Sequence, residues 1–81
     1  MRGSELKEVR TTAGVTIAEL ASELLLHDSS VIRTEQRARV QAPTVLRYLD
    51  ALEICVARKR EEREKLARRL AQVSRELAGS L

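Results

Sequence analysis

The stretch from His27 to Arg37, HDSSVIRTEQR, concentrates side chains that form directional hydrogen bonds. It contains two adjacent serines, two arginines and a glutamine, and it directly follows the apolar run ELLL. Arginine binds guanine edges or phosphate oxygens, while serine and glutamine hydrogen-bond to base edges or to the sugar-phosphate backbone. The stretch is therefore either the solvated end of a helix or a surface that contacts nucleic acid.

Charge around this stretch is more one-sided than in the chain as a whole. The 81 residues have a net charge of +3 and a pI near 9.6, which is equally compatible with nucleic acid, acidic lipid or simple solubility. Between residues 29 and 47, one acid, Glu35, stands among four arginines, which are Arg33, Arg37, Arg39 and Arg47. This distribution predicts a local basic patch within an otherwise neutral first half.

Residue types needed for catalysis or metal binding are sparse. The chain has one histidine and no glycine-rich phosphate loop, so neither a nucleophilic triad nor a nucleotide site is indicated. His27 next to Asp28 lacks the further ligands that a metal needs. We therefore expect no enzyme activity, no metal and no cofactor. The single cysteine, Cys55, is expected to be a buried packing residue in a reducing, cytoplasmic compartment.

The elements that position these side chains are predicted to be helices. The chain has one aromatic residue, one proline and no glycine between residues 15 and 78, which argues against a turn-rich β fold. We predict an all-α protein whose first three helices span about 5 to 13, 17 to 24 and 28 to 36. Ser4 is the expected cap of the first helix and Gly14 its stop, while Thr16 and Glu19 form a capping box for the second.

The third predicted helix has one buried and one exposed face. Its spacing should bury Val31, with Thr34 as a second candidate for burial, and expose a set of mainly polar residues, namely Ser29, Ile32, Arg33 and Gln36. Ser29 and Ser30 are candidates for helix capping, for contacts with a ligand, or for both, and capping is the favoured role.

The fourth predicted helix begins around Pro43 and meets no stop signal before Gly79. Apolar residues alternate spacings of four and three along it, the ~3.5-residue period of a coiled coil, at Val45, Leu49, Leu52, Val56, Leu66, Leu70, Val73 and Leu77. Lys59 and Arg63 occupy the two apolar places that are missing. The last helix is therefore expected to run into a long C-terminal coiled-coil helix.

Residues 6 to 52 resemble the bacterial and phage lambda-repressor-like, XRE-type helix-turn-helix regulators. The similarity is closest to a subgroup with a Glu-Gln-Arg loop and a helix of the form Thr-Leu-Arg-Arg-Tyr-x-x-Ala-Leu. The matching residues, aligned without a gap, include Gly14, Thr16, Glu19, Leu20, Ala21, Leu24, Ser29, Val31, Arg33, Glu35, Gln36, Arg37, Thr44, Arg47, Tyr48, Ala51 and Leu52. The chain departs from the family at Leu25, where the turn usually has glycine, and at Ile17, where helix two commonly begins with glutamine.

The resemblance implies that helix three is a recognition helix for double-stranded DNA, with Arg33 at a contact position of the family. The candidate DNA-binding residues are Thr16, His27, Asp28, Ser29, Ser30, Ile32, Arg33, Gln36, Arg37 and Arg39. Ile32 suits a thymine methyl group, and Arg37 and Arg39 suit phosphate contacts, although a solvated loop is nearly as good an interpretation of these two arginines.

The C-terminal apolar stripe has three interpretations: a homodimer interface, a docking surface for a different protein, or a solvated helix. We favour the homodimer, formed by Leu52, Val56, Leu66, Leu70, Val73 and Leu77. Residues 1–52 would then be the DNA-binding domain and 53–81 the dimerisation helix of a repressor that occludes a promoter at an inverted repeat. The alternative is an antitoxin or adaptor whose C-terminal helix binds another protein.

Two further expectations concern the chain ends and the membrane. No apolar run approaches the ~18 residues of a membrane-spanning helix, so no membrane association is expected. The opening MRGS is typical of a leader left by expression vectors, and no function is assigned to it.

Overall fold

The computed structural model describes residues 1–80, and this range contains four α-helices and no strand. The helices are α1 (Gly3–Thr12), α2 (Ile17–Leu24), α3 (Asp28–Gln36) and α4 (Ala42–Ser80). The predicted all-α class is confirmed, and α2 and α3 have the predicted bounds. Within α4, Pro43 lies in the first turn, and the helix continues one residue beyond Gly79, the predicted stop.

The first residues of the chain are part of the fold. The N-cap of α1 is Arg2 rather than the predicted Ser4. Gly3 is buried, its N–H donates to the carbonyl oxygen of Arg37 at 2.9 Å, and a Cβ on it would lie 2.4 Å from the carbonyl oxygen of Thr34. Only glycine allows the start of α1 to approach the end of α3 this closely.

The hydrophobic core lies between α1, α2, α3 and the first third of α4. Its buried members are Leu6, Val15, Leu20, Ala21, Val31, Val40, Tyr48, Ala51, Leu52 and Cys55. Cys55 is buried as predicted, and burial raises the pKa of its thiol. Leu52 was assigned to the dimer interface, but it is 4% exposed and packs in this core, so its own chain already covers it.

The core extends past the predicted domain boundary at residue 52. Cys55 is buried, Val56 is half-buried, and every residue from 60 to 80 is exposed. We call residues 1–59 the head and residues 60–80 the tail. The molecule measures 60 × 21 × 17 Å because the tail projects from one end of the head.

Lys59 interrupts the apolar pattern of α4 for a structural reason. Its Nζ donates to the carbonyl oxygen of Gly14 at 2.9 Å and lies 3.1 Å from Oε1 of Glu19. Gly14, in the predicted stop position, has a φ of +72° just beyond the end of α1. A cation at this place neutralises the partial negative charge of the last carbonyl groups of α1.

The tail has an uncovered apolar surface. Its four apolar side chains at heptad spacing are 57%, 59%, 43% and 64% exposed, in the order Leu66, Leu70, Val73 and Leu77. We call these four residues the tail stripe. None of the helices in residues 1–80 combines the length and the apolar character needed to cross a membrane.

Candidate nucleic-acid interface

The predicted capping box closes the N-terminus of α2. Thr16 Oγ1 accepts from the Glu19 N–H at 3.1 Å, and Glu19 Oε1 accepts from the Thr16 N–H at 2.9 Å. The hydrogen bond from the Thr16 backbone, followed by the contact with Lys59, lowers the pKa of the Glu19 carboxyl. The Thr16 side chain is exposed and its hydroxyl proton is not used by the cap, so it can still donate to a phosphate oxygen.

A leucine in a left-handed conformation forms the turn between α2 and α3. Leu25 has a φ of +56°, and the next residue, Leu26, donates its N–H to the carbonyl oxygen of Ala21 at 2.9 Å. This is the hydrogen bond with which a helix usually closes on glycine. A left-handed conformation costs a residue other than glycine about 1–2 kcal/mol. Leu25 is 90% exposed, so its own burial does not offset that cost.

The exposed face of α3 is as predicted, whereas its buried face also includes Glu35, and Thr34 is half-buried. Val31 is buried, and the residues predicted to be exposed are exposed: Ser29, Ile32, Arg33 and Gln36. Ile32 is 39% exposed, beside Arg33 in the sequence. The accessible surface of α3 therefore combines a cation, amide and hydroxyl hydrogen-bonding groups and one apolar side chain, with the carboxylate of Asp28 exposed in the first turn.

The start of α3 differs from the predicted capping. His27 is the N-cap residue, without a side-chain hydrogen bond, and Asp28 lies in the first turn. Ser29 and Ser30 follow inside the helix, so the favoured prediction that they cap it was wrong. The carbonyl oxygen of Ser30 accepts from the hydroxyl of Thr34 at 3.0 Å. Ser29 is exposed and Ser30 half-buried, which leaves Ser29 the more accessible of the two hydroxyls.

The loop after α3 is fixed to the N-terminus of the chain. The carbonyl oxygen of Arg37 accepts from Gly3, and the Val40 N–H donates to the carbonyl oxygen of Met1 at 2.8 Å. Val40 is buried, whereas the side chains of Arg37 and Arg39 are exposed. This backbone is therefore fixed, and it holds two exposed guanidinium groups next to the end of α3. Phosphate contact and simple solvation both stay open for these two side chains.

Glu35 lies in a buried, hydrogen-bonded cluster that sequence reasoning missed. Arg10 donates to both of its carboxylate oxygens, from Nε at 2.7 Å and from Nη2 at 3.0 Å. The Tyr48 hydroxyl donates to Oε2 of Glu35 at 2.6 Å, and Arg10 Nη1 also donates to the carbonyl oxygen of Val15 at 3.0 Å. The cluster therefore joins α1, α3 and α4.

Ionisation within this cluster is stabilised by its own members. Burial disfavours the charged form of Glu35, but hydrogen bonds from Arg10 and Tyr48 outweigh burial and hold the pKa of its carboxyl below the usual value. The hydrogen bond to Glu35 raises the pKa of Arg10, and burial together with Glu35 raises that of Tyr48. A signal existed in the sequence, because Arg10 follows Leu6, and Glu35 follows Val31, by four residues on the buried side of a helix.

Burial of Glu35 changes the charge of the surface around α3. It is the one acid between residues 29 and 47, and its charge is paired with Arg10. The four arginines of the same span are exposed, and within residues 1–80 none of them forms an ion pair. The exposed surface of residues 29–47 is therefore more basic than the count of charged residues in that stretch of sequence indicates.

A wide apolar groove lies elsewhere, between α1 and α4. Its volume is about 640 Å³, and its lining is mainly apolar, with Val9, Ala13, Leu49, Leu52, Val56 and Ala57 beside the charged Glu53 and Arg60. We call it the α1–α4 groove. Of the predicted dimerisation residues, Val56 and the buried Leu52 line it, and the tail stripe lies further along α4.

The surface of α3 carries exposed cationic and hydrogen-bonding side chains. An α-helix with its side chains is ~10–12 Å across, a diameter that the ~12 Å width of a DNA major groove can admit. No group of three or more His, Cys, Asp or Glu side chains suited to a metal ion occurs within the described residues. No protein-family model, curated protein or solved structure matches the chain.

Proposed function

We propose that this chain is a sequence-specific DNA-binding transcriptional regulator of the lambda-repressor-like helix-turn-helix type. The observation that supports the proposal most is the charge of residues 29–47, where four arginines are exposed and the one acid, Glu35, is buried and paired with Arg10, so that Asp28 in the first turn is the one exposed acid of α3. Such a surface attracts the phosphate backbone of DNA and releases its counterions. α3 is then the recognition helix, and it lies in the major groove of double-stranded DNA.

Arg33 is the residue proposed to recognise a base. It lies on the exposed face of α3, where its guanidinium group can bind guanine through two hydrogen bonds or grip a phosphate. Gln36 suits adenine, and Ile32 suits the methyl group of thymine. Arg37 and Arg39 bind phosphates and fix the position of α3 in the groove, because their backbone is held against the N-terminus of the chain.

The regulator acts in the cytoplasm as a homodimer and most simply as a repressor. Two copies related by a two-fold axis present two α3 helices to an inverted repeat, and a bound dimer blocks the promoter that contains it. The exposed tail stripe provides the apolar surface that a second copy needs. Neither a cofactor nor a metal is part of this proposal.

Selection of binding sites from random DNA, followed by mobility-shift titration on the selected site, tests the proposal. Arg33→Ala should weaken specific binding by about 5- to 150-fold, the loss expected for one bidentate base contact of ~1–3 kcal/mol. Arg68→Ala is the control, because it removes the same charge from an exposed position in the tail. Equal binding by both variants would contradict the role of Arg33, and the absence of any selected site would contradict the function.

Salt dependence distinguishes phosphate contacts from base contacts. Arg39→Ala should weaken binding to all DNA sequences alike and reduce the slope of log K against log salt by about 0.9, the value for one phosphate contact. Unchanged salt dependence would mean that Arg39 makes no phosphate contact.

A second candidate function rests on the tail stripe alone. An exposed row of apolar side chains also suits a different protein, as in an antitoxin or an adaptor. Sedimentation of the purified chain separates the two candidates, because a stable homodimer covers the stripe. A monomer that binds no selected DNA would favour the antitoxin or adaptor.

A further inference from the structure

Each copy of the chain has two separate apolar surfaces along α4. One is the tail stripe, from Leu66 to Leu77, and the other is the α1–α4 groove around Val56. The α4 segment between Val56 and Leu66 is mostly charged and includes Arg63 in an apolar place of the heptad pattern. A partner that stabilises α4 along its length must cover both surfaces.

The tail stripe is too short to form a strong interface with a second tail alone. Its four apolar residues span less than two heptads, and coiled helices of that length are marginal in water. The groove is likewise half of an interface, since it is open on the side away from the head core. An interface that joins a stripe to a groove buries both.

A parallel dimer in register would not join them. In that arrangement each heptad position faces the same position of the partner, so Arg63 meets the partner's Arg63 at the centre of the seam. The flanking Glu62 meets the partner's Ala67, which offers it no charge. In the parallel dimer, the α1–α4 groove of each copy also stays uncovered, because the tail stripe of the partner does not reach it.

An antiparallel pairing with its two-fold axis between residues 64 and 65 removes these conflicts. Position Val56 then faces the partner's Val73, and the partner's Leu77 reaches the α1–α4 groove next to Val9 and Leu49. Arg63 faces the partner's Leu66 and can extend its guanidinium to solvent. Because the pairing is symmetric, each of these contacts occurs twice.

Flanking charges select the same register. With the axis between residues 64 and 65, Glu62 and the partner's Arg69 occupy neighbouring flanking positions, offset by about two residues or ~3 Å along the axis, and the symmetric pair repeats the contact. The next register in one direction places Glu62 against the partner's Glu62, and the next in the other direction places Arg69 against the partner's Arg69. Like charges in these flanking positions disfavour both alternatives.

We propose that two copies of this chain associate antiparallel, with the tail stripe of each copy seated in the α1–α4 groove of the other. The inference rests on the homodimer of the proposed function and adds its orientation and register. The buried segments of the two α4 helices are then about 26 residues apart along the helix axis, or ~39 Å at ~1.5 Å per residue. Half-sites one DNA turn apart, ~34–36 Å, lie within reach of such a dimer.

Disulfide trapping tests the register. In a Cys55→Ala background, Val56→Cys and Val73→Cys are introduced together in the full chain, and each alone serves as a matched control. The two positions lie ~25 Å apart on one helix, so a disulfide within one chain is impossible. Oxidation should give at least about tenfold more covalent dimer from the double variant than from either single variant.

Three results would overturn the inference. Covalent dimers from Val73→Cys alone would indicate a parallel seam. Dimers from Leu70→Cys with Val73→Cys, but not from the original pair, would indicate that only the tails meet. Sedimentation as a monomer would mean that no second copy binds. Mobility shift of the same samples separates this inference from the function, because specific DNA binding without the expected disulfide overturns only the register.

Discussion

Helix α4 belongs to both the head and the tail, and its burial differs between the two: it packs against other helices in the head and is exposed to solvent in the tail. In the head, α4 packs against the rest of the fold through Tyr48, Ala51, Leu52 and Cys55, which are 2–5% exposed. Of the heptad residues of α4 in the head, Leu52 is buried and Val45, Leu49 and Val56 are half-buried. In the tail, the same heptad pattern continues, but its apolar residues are 43–64% exposed. The heptad pattern is thus covered or partly covered by its own chain in the head, whereas in the tail it stays open to solvent.

The charged side chains of the head and the tail also differ in burial. The head buries an acid and a base together, and no polar side-chain atom buried within the described residues lacks a hydrogen-bond partner. In the tail every residue from 60 to 80 is exposed to solvent, so its charges contribute little to stability on their own. We therefore expect the head to fold alone and the tail to act mainly in association.

The largest expected effect comes from removing the tail. A chain that ends at residue 59 loses the four side chains of the tail stripe, and each would contribute about 1.5–3 kcal/mol when fully buried by a partner. Sedimentation should show a monomer, while circular dichroism should show an unfolding transition of the head. A chain that ends at residue 78 keeps the stripe and should remain dimeric. A dimer formed by the chain that ends at residue 59 would contradict the assignment of dimerisation to the tail.

The next largest effect concerns the buried cluster of the head. Glu35→Ala leaves the Arg10 guanidinium buried without its partner, which should lower the free energy of unfolding by about 3–5 kcal/mol. Urea denaturation of the variant measures the loss. Glu61→Ala removes an exposed carboxylate from the tail and should change stability by less than about 0.5 kcal/mol. Similar losses from the two variants would contradict a stabilising role for the cluster.

Two glycines should respond with opposite signs. A Cβ at Gly3 meets the backbone of Thr34, so Gly3→Ala should cost about 1–3 kcal/mol of stability. A Cβ at Gly79 meets nothing within 4 Å, and Gly79→Ala should favour the end of α4 by up to about 1 kcal/mol. Thermal unfolding checks the first variant and helical content the second. A neutral Gly3→Ala would show that the N-terminal residues do not constrain the head.

The smallest expected effect lies in the turn before α3. Leu25→Gly relieves the left-handed leucine, but glycine increases the entropy of the unfolded chain, so a net gain of about 0.5–1 kcal/mol is expected. Leu46→Gly is the matched control, because the same change in an ordinary exposed helical position should cost about 1 kcal/mol. A loss at Leu25 comparable with that at Leu46 would mean that this turn has no strain to release.

Local signals made the bounds of α2 and α3 predictable. The Thr16 capping box involves residues three apart, and the exposed face of α3 follows from helical spacing around Val31, so neither needs knowledge of distant residues. The predicted helix caps were wrong at Ser4 and at Ser29 and Ser30, because the N-cap residues of α1 and α3 are Arg2 and His27. Ser4 is a good cap by type, but contact with the end of α3 draws the start of α1 back to Gly3.

The sequence by itself determined the helical class, the order of the helices, the polar face of α3 and the continuous apolar period of α4. Tertiary structure alone decided that Glu35 pairs with Arg10, 25 residues away, that Lys59 covers the end of α1, and that Leu52 packs in the core. The reason is physical: helix caps and periodicity act over three or four residues, whereas burial and charge pairing depend on which distant segments meet. The strength of the basic surface around α3 follows from the second kind of interaction.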